Sequence, residues 1–328
     1  MMRKLLQTLY GLIIDRRNRQ FNDRTRPVVR VTVPVISVGN VSTGGTGKSP
    51  AVQMIVRMLQ NHGYRPAIVL RGYRRRSRGL LVVHGGAHML ASVDSAGDEA
   101  YMHATTLGVP VVVSNDKVEA AAHAAGCLPC DVIVVDDGFQ HRALHRSTDI
   151  VLVDEATLHG SLLPVGRLRE PLASLHRATI VLCSDEKLID KTRSFCEHST
   201  IVTHTTVMLQ CDVPTSKSVI MVSGIAHPDR MRRALEQAGY TIAERLAYPD
   251  HHRYRTRDLW NIRDAALRHN AVVVTTEKDI AKIQMAHTSN ELQNIDIHVA
   301  RIQMAIAGPE VMGRILQDIE NENRTNQE

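Results

Sequence analysis

Apolar and polar positions fall in blocks along this chain. Short runs rich in valine and isoleucine recur: "VPVISVGN", "PAIVLRGY", "VPVVVSND", "DVIVVDDG", "DIVLVDE" and "ATIVLCSD". Each is nearly continuous rather than alternating, which marks strands covered on both faces. Stretches with helical spacing separate them. "SPAVQMIVRMLQNHG" carries Pro50 near its first turn and Gly63 at its end, the start and stop signals of a helix. Strands separated by helices predict an α/β fold, a mostly parallel sheet with helices on both faces. Charged or glycine residues follow each run, at the carboxyl edge where such sheets bind ligands.

From about residue 205 the pattern restarts. "SVIMVSGIAHP" precedes a helix ending at Gly239; then come "TIAERLAYPDHH", a helix over 256–269, "AVVVTTEKD" and a last helix near 308–322. The expected organisation is an N-terminal helix over 1–25, a core domain over 26–205 and a smaller C-terminal α/β domain over 206–328.

The first segment breaks the pattern. "LLQTLYGLII", residues 5–14, is about half the ~20 apolar residues that a spanning helix needs. "DRRNRQ" follows it in place of a small-residue cleavage site. Leu5, Leu6, Leu9, Leu12 and Ile13 fall on one helical face with Arg16 close by. Apolar insertion plus attraction to anionic headgroups would hold such a helix in a bilayer interface. The duller alternative is a helix packed on the protein's own core.

The first strand ends in "NVSTGGTGKSP". Gly44, Gly45 and Gly47 let backbone N–H groups turn inward around phosphate oxygens, and the following helix adds its positive end. Lys48 would reach terminal phosphates, and the Ser49 hydroxyl would ligate Mg²⁺. Ser42 stands where the usual pattern has its first glycine. The loop predicts a P-loop NTPase-like core. After "VIVV", Asp136 and Asp137 emerge where a magnesium-binding aspartate belongs, although Asp-Asp-Gly is also a fair turn.

Two further sets carry possible chemistry. Asp98 and Glu99 in "SAGDEA" could take a proton from an alcohol or simply begin a helix. His251 and His252 in "PDHHRY" could be acid/base groups, a metal fragment or surface histidines. Cys127-Leu-Pro-Cys130 has redox or zinc spacing, but no second pair accompanies it, so an inert loop is expected. The five cysteines, an odd number, fit a reducing compartment.

The net charge of +6 gathers in residues 1–30 and in "RGYRRRSRG", where it attracts phosphate. Nucleic acid is a poor partner, because aromatics make up only 3% of the chain and leave few stacking platforms.

The set "VGNVSTGGTGKSP", "LRGYRR", "GDEA", "DDGFQH", "GRLREP", "DHHRY" and "VVTTEKD" resembles one family closely, the tetraacyldisaccharide 4'-kinases (lipid A 4'-kinases) of outer-membrane bacteria. Members of this family usually have Thr where Ser42 stands and end the loop in Lys-Thr rather than Lys48-Ser49. They often have proline at Ala100. The resemblance implies ATP-dependent phosphorylation of the 4'-hydroxyl of lipid A disaccharide 1-phosphate, giving lipid IVA, at the cytoplasmic face of the inner membrane. It implies ATP and Mg²⁺ as cofactors, the lipid A disaccharide 1-phosphate and membrane lipids as partners, and no protein or nucleic-acid partner.

By motif matching, Asp98 is the base and His251 or His252 its support. Ser42, Thr43, Gly44, Gly45, Thr46, Gly47, Lys48 and Ser49 bind ATP. Ser49, Glu99, Asp136 and Asp137 handle Mg²⁺, while Arg71, His141 and Arg169 contact phosphates or substrate. Closure of the C-terminal unit over ATP is expected to bring His251 toward Asp98. The alternative from another class is a nucleotide-dependent switch or metal-delivery chaperone, which would not need the Asp98 and His251 set.

Overall fold

The structure is a computed structural model that describes residues 2–286, 292 and 295–326. In chain order its strands are β1 (Val35–Asn40), β2 (Pro66–Leu70), β3 (Leu81–His84), β4 (Val111–Val113), β5 (Val132–Asp136), β6 (Thr148–Val153), β7 (Ile180–Cys183), β8 (Ile201–Gln210), β9 (Ser218–Ser223), β10 (Thr241–Ala247), β11 (Val272–Thr276) and β12 (Ile297–Ile306). The helices are α1 (Met2–Asn22), α2 (Lys48–Asn61), α3 (Val93–Ala96), α4 (Asp98–Leu107), α5 (Lys117–Cys127), α6 (Glu155–Leu158), α7 (Ile189–Arg193), α8 (Pro228–Gln237), α9 (Thr256–His269), α10 (Glu277–Ala286) and α11 (Glu310–Thr325).

The strands form one sheet in the order β10-β9-β11-β12-β8-β7-β6-β1-β5-β2-β4-β3. Neighbours run parallel except at the edge pair β3–β4 and at β8–β12. The apolar runs became strands because both of their faces are covered: all six residues of β1 and all five of β5 are buried. On one face α2 contributes Val52, Ile55, Val56 and Leu59 to the core, each such side chain worth about 1.5–3 kcal/mol when buried.

The joint between the halves decides where the site lies. Residues 201–204 of β8 pair with β7, and residues 205–210 pair with β12. The expected 205/206 boundary therefore falls inside β8, where the strand changes partner. Beyond that point β8 rises past the carboxyl ends of the N-terminal strands, and β12 runs back antiparallel to it. The strands β9, β10 and β11 run with β12. Their carboxyl ends consequently point back at the carboxyl edge of the N-terminal half, and a cleft lies between two ligand-binding edges.

α11 belongs to the expected second unit by sequence but packs into the first unit's core. Val311, Met312, Ile315 and Ile319 join Ile36 and Val56 there, and Asp318 accepts a hydrogen bond from Thr148 at 2.8 Å. The helix thus straps the C-terminal half to the N-terminal half.

α1 divides its faces between two tasks. Tyr10 donates to the Arg169 carbonyl at 2.9 Å, Arg17 to the Gln140 carbonyl at 2.6 Å, and Asn18 to Glu170 at 2.9 Å. Ile14 and Phe21 are buried on the same side. Leu5 (71% exposed), Leu6, Leu9, Leu12 (57%) and Ile13 stand clear of the body. The apolar face is therefore not the one that packs on the core. Among the described residues no helix is long and apolar enough to cross a membrane.

Candidate active site

The glycine loop leaves β1 and enters α2 at Gly47, whose φ of 91° places it in the left-handed region as the N-cap. Thr46 Oγ1 accepts from Asn40 Nδ2 at 2.7 Å, which fixes the loop to the last residue of its own strand. Lys48 Nζ rests between Asn40 Oδ1 at 3.4 Å and Asp137 at 3.7 Å. Thr43 is tied to the Arg167 backbone, its N–H donating at 2.7 Å. The Ser42 side chain turns inward and shares a 3.1 Å hydrogen bond with the Thr157 hydroxyl. Its hydroxyl serves the body of the protein in this structure, and only the backbone at Ser42 borders the loop. Ser49 occupies the first turn of α2, where its hydroxyl lies at the positive end of the helix.

Asp136 and Asp137 end the neighbouring strand. Asp136 is buried beside His103 of α4, 3.5 Å from its Nε2. Burial works against its charge, but His103 and Lys48 outweigh it and hold the carboxyl below the usual range. Asp136 Oδ1 is buried and has no hydrogen-bond partner. Asp137 is left-handed at φ 54°, a conformation that costs a non-glycine residue energy and concentrates at functional turns. The buried Lys117 side chain braces that turn, its Nζ donating to the carbonyls of both Asp136 and Asp137 at 2.6 Å. Burial lowers Lys117 to about 8 despite the two carboxylates. Arg169 grips Asp137 with a two-pronged contact at 2.8 and 2.7 Å. Partial burial works to raise the Asp137 carboxyl, but Arg169, Lys48 and Lys117 together hold it well below the usual range.

The second cluster is assembled across the cleft. Asp98 and Glu99 open α4 behind Gly97, whose φ of 87° and tight approach to the Tyr73 carbonyl would strain any side chain there. From the C-terminal half, His251 Nδ1 lies 3.0 Å from Asp98 Oδ2, and Lys282 Nζ lies 3.1 Å from the same oxygen. Burial would raise the Asp98 carboxyl, but the His251 hydrogen bond and the Lys282 charge win and lower it. Asp279, fully buried, anchors Lys282 at 2.9 Å and also accepts from the Gly224 N–H and the Thr276 hydroxyl. Glu99 is paired with Lys278 at 2.7 Å. Burial opposes the Lys278 charge, yet Glu99 raises its pKa.

The geometry separates the two histidines. His252 Nε2 donates to Asp258 at 2.9 Å, and its ring stacks on Tyr248 at 4.6 Å, half-buried within the C-terminal half. His251 alone faces Asp98, next to Tyr73 at 5.6 Å.

Other expected residues take varied places. Arg71 is exposed at the end of β2 and makes no side-chain hydrogen bond among the described residues. His141 borders a cleft of about 380 Å³ with Lys117 and Leu144. Burial and the Lys117 charge lower it to about 4, which leaves it neutral at physiological pH. All five cysteines are free, and Cys130 Sγ sits on the Ala124 carbonyl with its pKa pushed up to about 11 by burial.

The sequence reading missed Asn40, His103, Lys117 and Lys282. His103, Lys117 and Lys282 act on neighbours distant in the chain, and the "VVTTEKD" run ends at Asp279, short of Lys282.

As a metal site, the loop edge offers hard oxygen donors, the Asp136 and Asp137 carboxylates and the Ser49 hydroxyl, with one carboxylate oxygen unpartnered. That chemistry suits Mg²⁺. Among the described residues, no group of three or more His, Cys, Asp or Glu is gathered as a ready cage. Magnesium commonly keeps several waters and relies on substrate phosphates, so a full cage is not expected.

A family model described as tetraacyldisaccharide-1-P 4'-kinase matches residues 2–320. Curated tetraacyldisaccharide 4'-kinases are similar along most of both chains. That of Anaeromyxobacter sp. (strain Fw109-5) is 36% identical, covering 87% of this chain and 86% of its own. That of Aquifex aeolicus (strain VF5) is 33% identical, covering 84% and 87%. A crystal structure of an "apo" form of LpxK from Aquifex aeolicus in complex with ATP superposes with a TM-score of 0.81 at 29% identity, covering 97% of this chain and all of that one. With the loop, the paired aspartates and the cleft in place, the chain belongs to the tetraacyldisaccharide-1-P 4'-kinase family.

Proposed function

We propose that the chain transfers the γ-phosphoryl group of ATP to the 4'-hydroxyl of a tetraacyldisaccharide 1-phosphate, with Asp98 as the base. The observation that carries the assignment is the Asp98 carboxylate, kept ionised by His251 and Lys282 from across the cleft. An ionised carboxylate can accept the hydroxyl proton as the sugar oxygen attacks the γ-phosphorus. The bond from that phosphorus to the β–γ bridging oxygen then breaks, and ADP leaves. His251 orients the carboxylate and shares the incoming positive charge.

The loop residues 43–49 and Lys48 hold the triphosphate, and the α2 N-terminus favours its charge. Asp136, Asp137 and Ser49 would hold Mg²⁺, which when bound neutralises phosphate charge. Glu99, paired with Lys278, stands at the cleft side of that set. Arg169 fixes Asp137, while Arg71 and His141 would contact phosphate or substrate. Rate enhancement here comes from positioning and charge neutralisation rather than covalent chemistry. A nucleotide switch or metal-delivery chaperone has no use for the Asp98–His251 pair.

The substrate is an amphiphile, and the uncovered apolar face of α1 would seat the enzyme on the cytoplasmic face of the inner membrane as a peripheral protein.

The test combines purified protein, Mg-ATP and detergent-dispersed tetraacyldisaccharide 1-phosphate, with product detected by its second phosphate. Asp98→Ala should lower turnover on the order of 10²–10⁴-fold while ATP still binds. A near-normal rate would reject Asp98 as base. Deleting residues 2–9, which lie before the anchoring Tyr10, should release the protein from anionic vesicles, and unchanged sedimentation would reject the membrane role of α1.

A further inference from the structure

Two guanidinium groups reach the phosphate loop from different parts of the fold. Arg167 Nε donates to the Thr43 carbonyl at 3.1 Å, and its planar head covers Gly44. Arg230, on α8 of the C-terminal half, donates through Nη1 to the Gly45 carbonyl. His227, just before α8, approaches Gly45 as well.

Two of the neighbouring arginines have carboxylate partners, and Arg233 donates to the Asp229 carbonyl of its own helix at 3.3 Å. Arg232 is held by Glu236 and Asp229, and Arg245 by Asp229 at 2.9 Å. Arg230 has no carboxylate partner among the described residues. Its one hydrogen bond there uses a single N–H of the five that a guanidinium carries. An exposed arginine gains little by resting on a neutral carbonyl at the mouth of an anion cradle. Phosphate is the stronger partner, because charge-assisted, two-pronged contacts are roughly twice as strong as neutral ones.

We infer that Arg230 is a phosphate-binding residue that the C-terminal half places over the entry of the loop, where it contacts the outermost phosphate of a bound nucleoside triphosphate. The position follows from the two ends of the loop. Lys48 and Ser49 sit at the α2 end, where the helix N-terminus takes the phosphates nearest to it. Gly44 and Gly45 form the opposite end, the one that faces the half of the molecule carrying His251. A cation there meets the transferring group from the acceptor side, the role that an arginine finger supplied by the same chain fulfils in other phosphoryl-transfer enzymes. Lys48 and Arg230 would then meet the outer phosphates from two sides, and discrimination of ATP from ADP would depend on Arg230.

This inference rests on the kinase reading. Its test is calorimetric titration of ATP and of ADP, each with magnesium, into wild-type protein, Arg230→Ala and Arg230→Lys. Arg230→Ala should weaken ATP about tenfold, the size of one charge-assisted hydrogen bond, and change ADP less than about twofold. Arg230→Lys should recover part of the loss, and the melting temperature should stay constant because the side chain is exposed. Equal losses for both nucleotides would make Arg230 a strut of the loop, and unchanged ATP affinity would remove it from the site; either result overturns the inference alone. Wild-type protein that binds no ATP would overturn the kinase reading beneath it.

Discussion

The two acidic pairs of this protein are built in opposite ways. Asp136 and Asp137 sit at the end of one strand, next to the loop that the adjacent strand feeds. Most of what they need lies within the N-terminal half: Lys48, His103, Lys117 and Arg169. Asp98 and Glu99 open a helix of that same half, but their partners His251, Lys282 and Lys278 come from more than 150 residues away. In the proposed function the first pair is a local device for holding phosphate and metal charge. The second exists only because β12 turns the C-terminal strands back over the cleft. Binding and chemistry are thereby assigned to different elements, and each can be damaged separately.

Lys48→Ala should break the local device most severely. Turnover should fall on the order of 10²–10³-fold, the usual loss for one preorganised donor, and ATP affinity should fall with it. Nucleotide titration and initial rates check both; intact ATP binding would show that the loop is not the phosphate cradle.

Lys282→Gln should strike the cross-cleft device while sparing ATP binding. Lys282 lowers the Asp98 carboxyl; removing its positive charge lets that pKa rise toward its ordinary range. A base must be ionised, so the acid limb of kcat/KM should move to higher pH. The rate on the alkaline side of that limb should fall by less than about tenfold, since His251 still orients the carboxylate. A limb that stays in place or moves to lower pH would remove Lys282 from the control of Asp98.

Gly97→Ala should have the mildest consequence, a loss of about 1–3 kcal/mol in unfolding free energy from a side chain forced to a positive φ against the Tyr73 carbonyl. Denaturant titration measures it. An unchanged midpoint would mean that the α4 start relaxes freely and does not fix Asp98.

Local pattern carried a large part of this fold. The apolar runs became β1, β2, β4, β5, β6, β7, β9 and β11, and the helix expected over 256–269 is α9. Continuous burial on both faces of a strand leaves its mark directly in residue type. β3, β8 and β12 were not legible, because their solvent-facing or joint positions mix polar and apolar residues. At the site, the loop and the Asp136–Asp137 pair were legible because backbone turns and carboxylates at a strand end are coded within a few residues. Lys117 was not, since a lysine in "SNDKVEA" reads as a solvated helix start until its burial is seen. For Ser42 the motif pointed to nucleotide, and the Thr157 partner of its hydroxyl, 115 residues away, was not legible.

By itself the sequence determined a glycine loop between strand and helix, an aspartate pair at a strand end, and a short amphipathic helix at the start. These depend on neighbours a few residues apart, where spacing and side-chain type suffice. The tertiary structure alone decided that His251 and not His252 meets Asp98, that α11 returns to the first core, and that Arg230 reaches Gly45. Those contacts span long stretches of chain, and the direction of a single antiparallel joint, β8 against β12, sets them all.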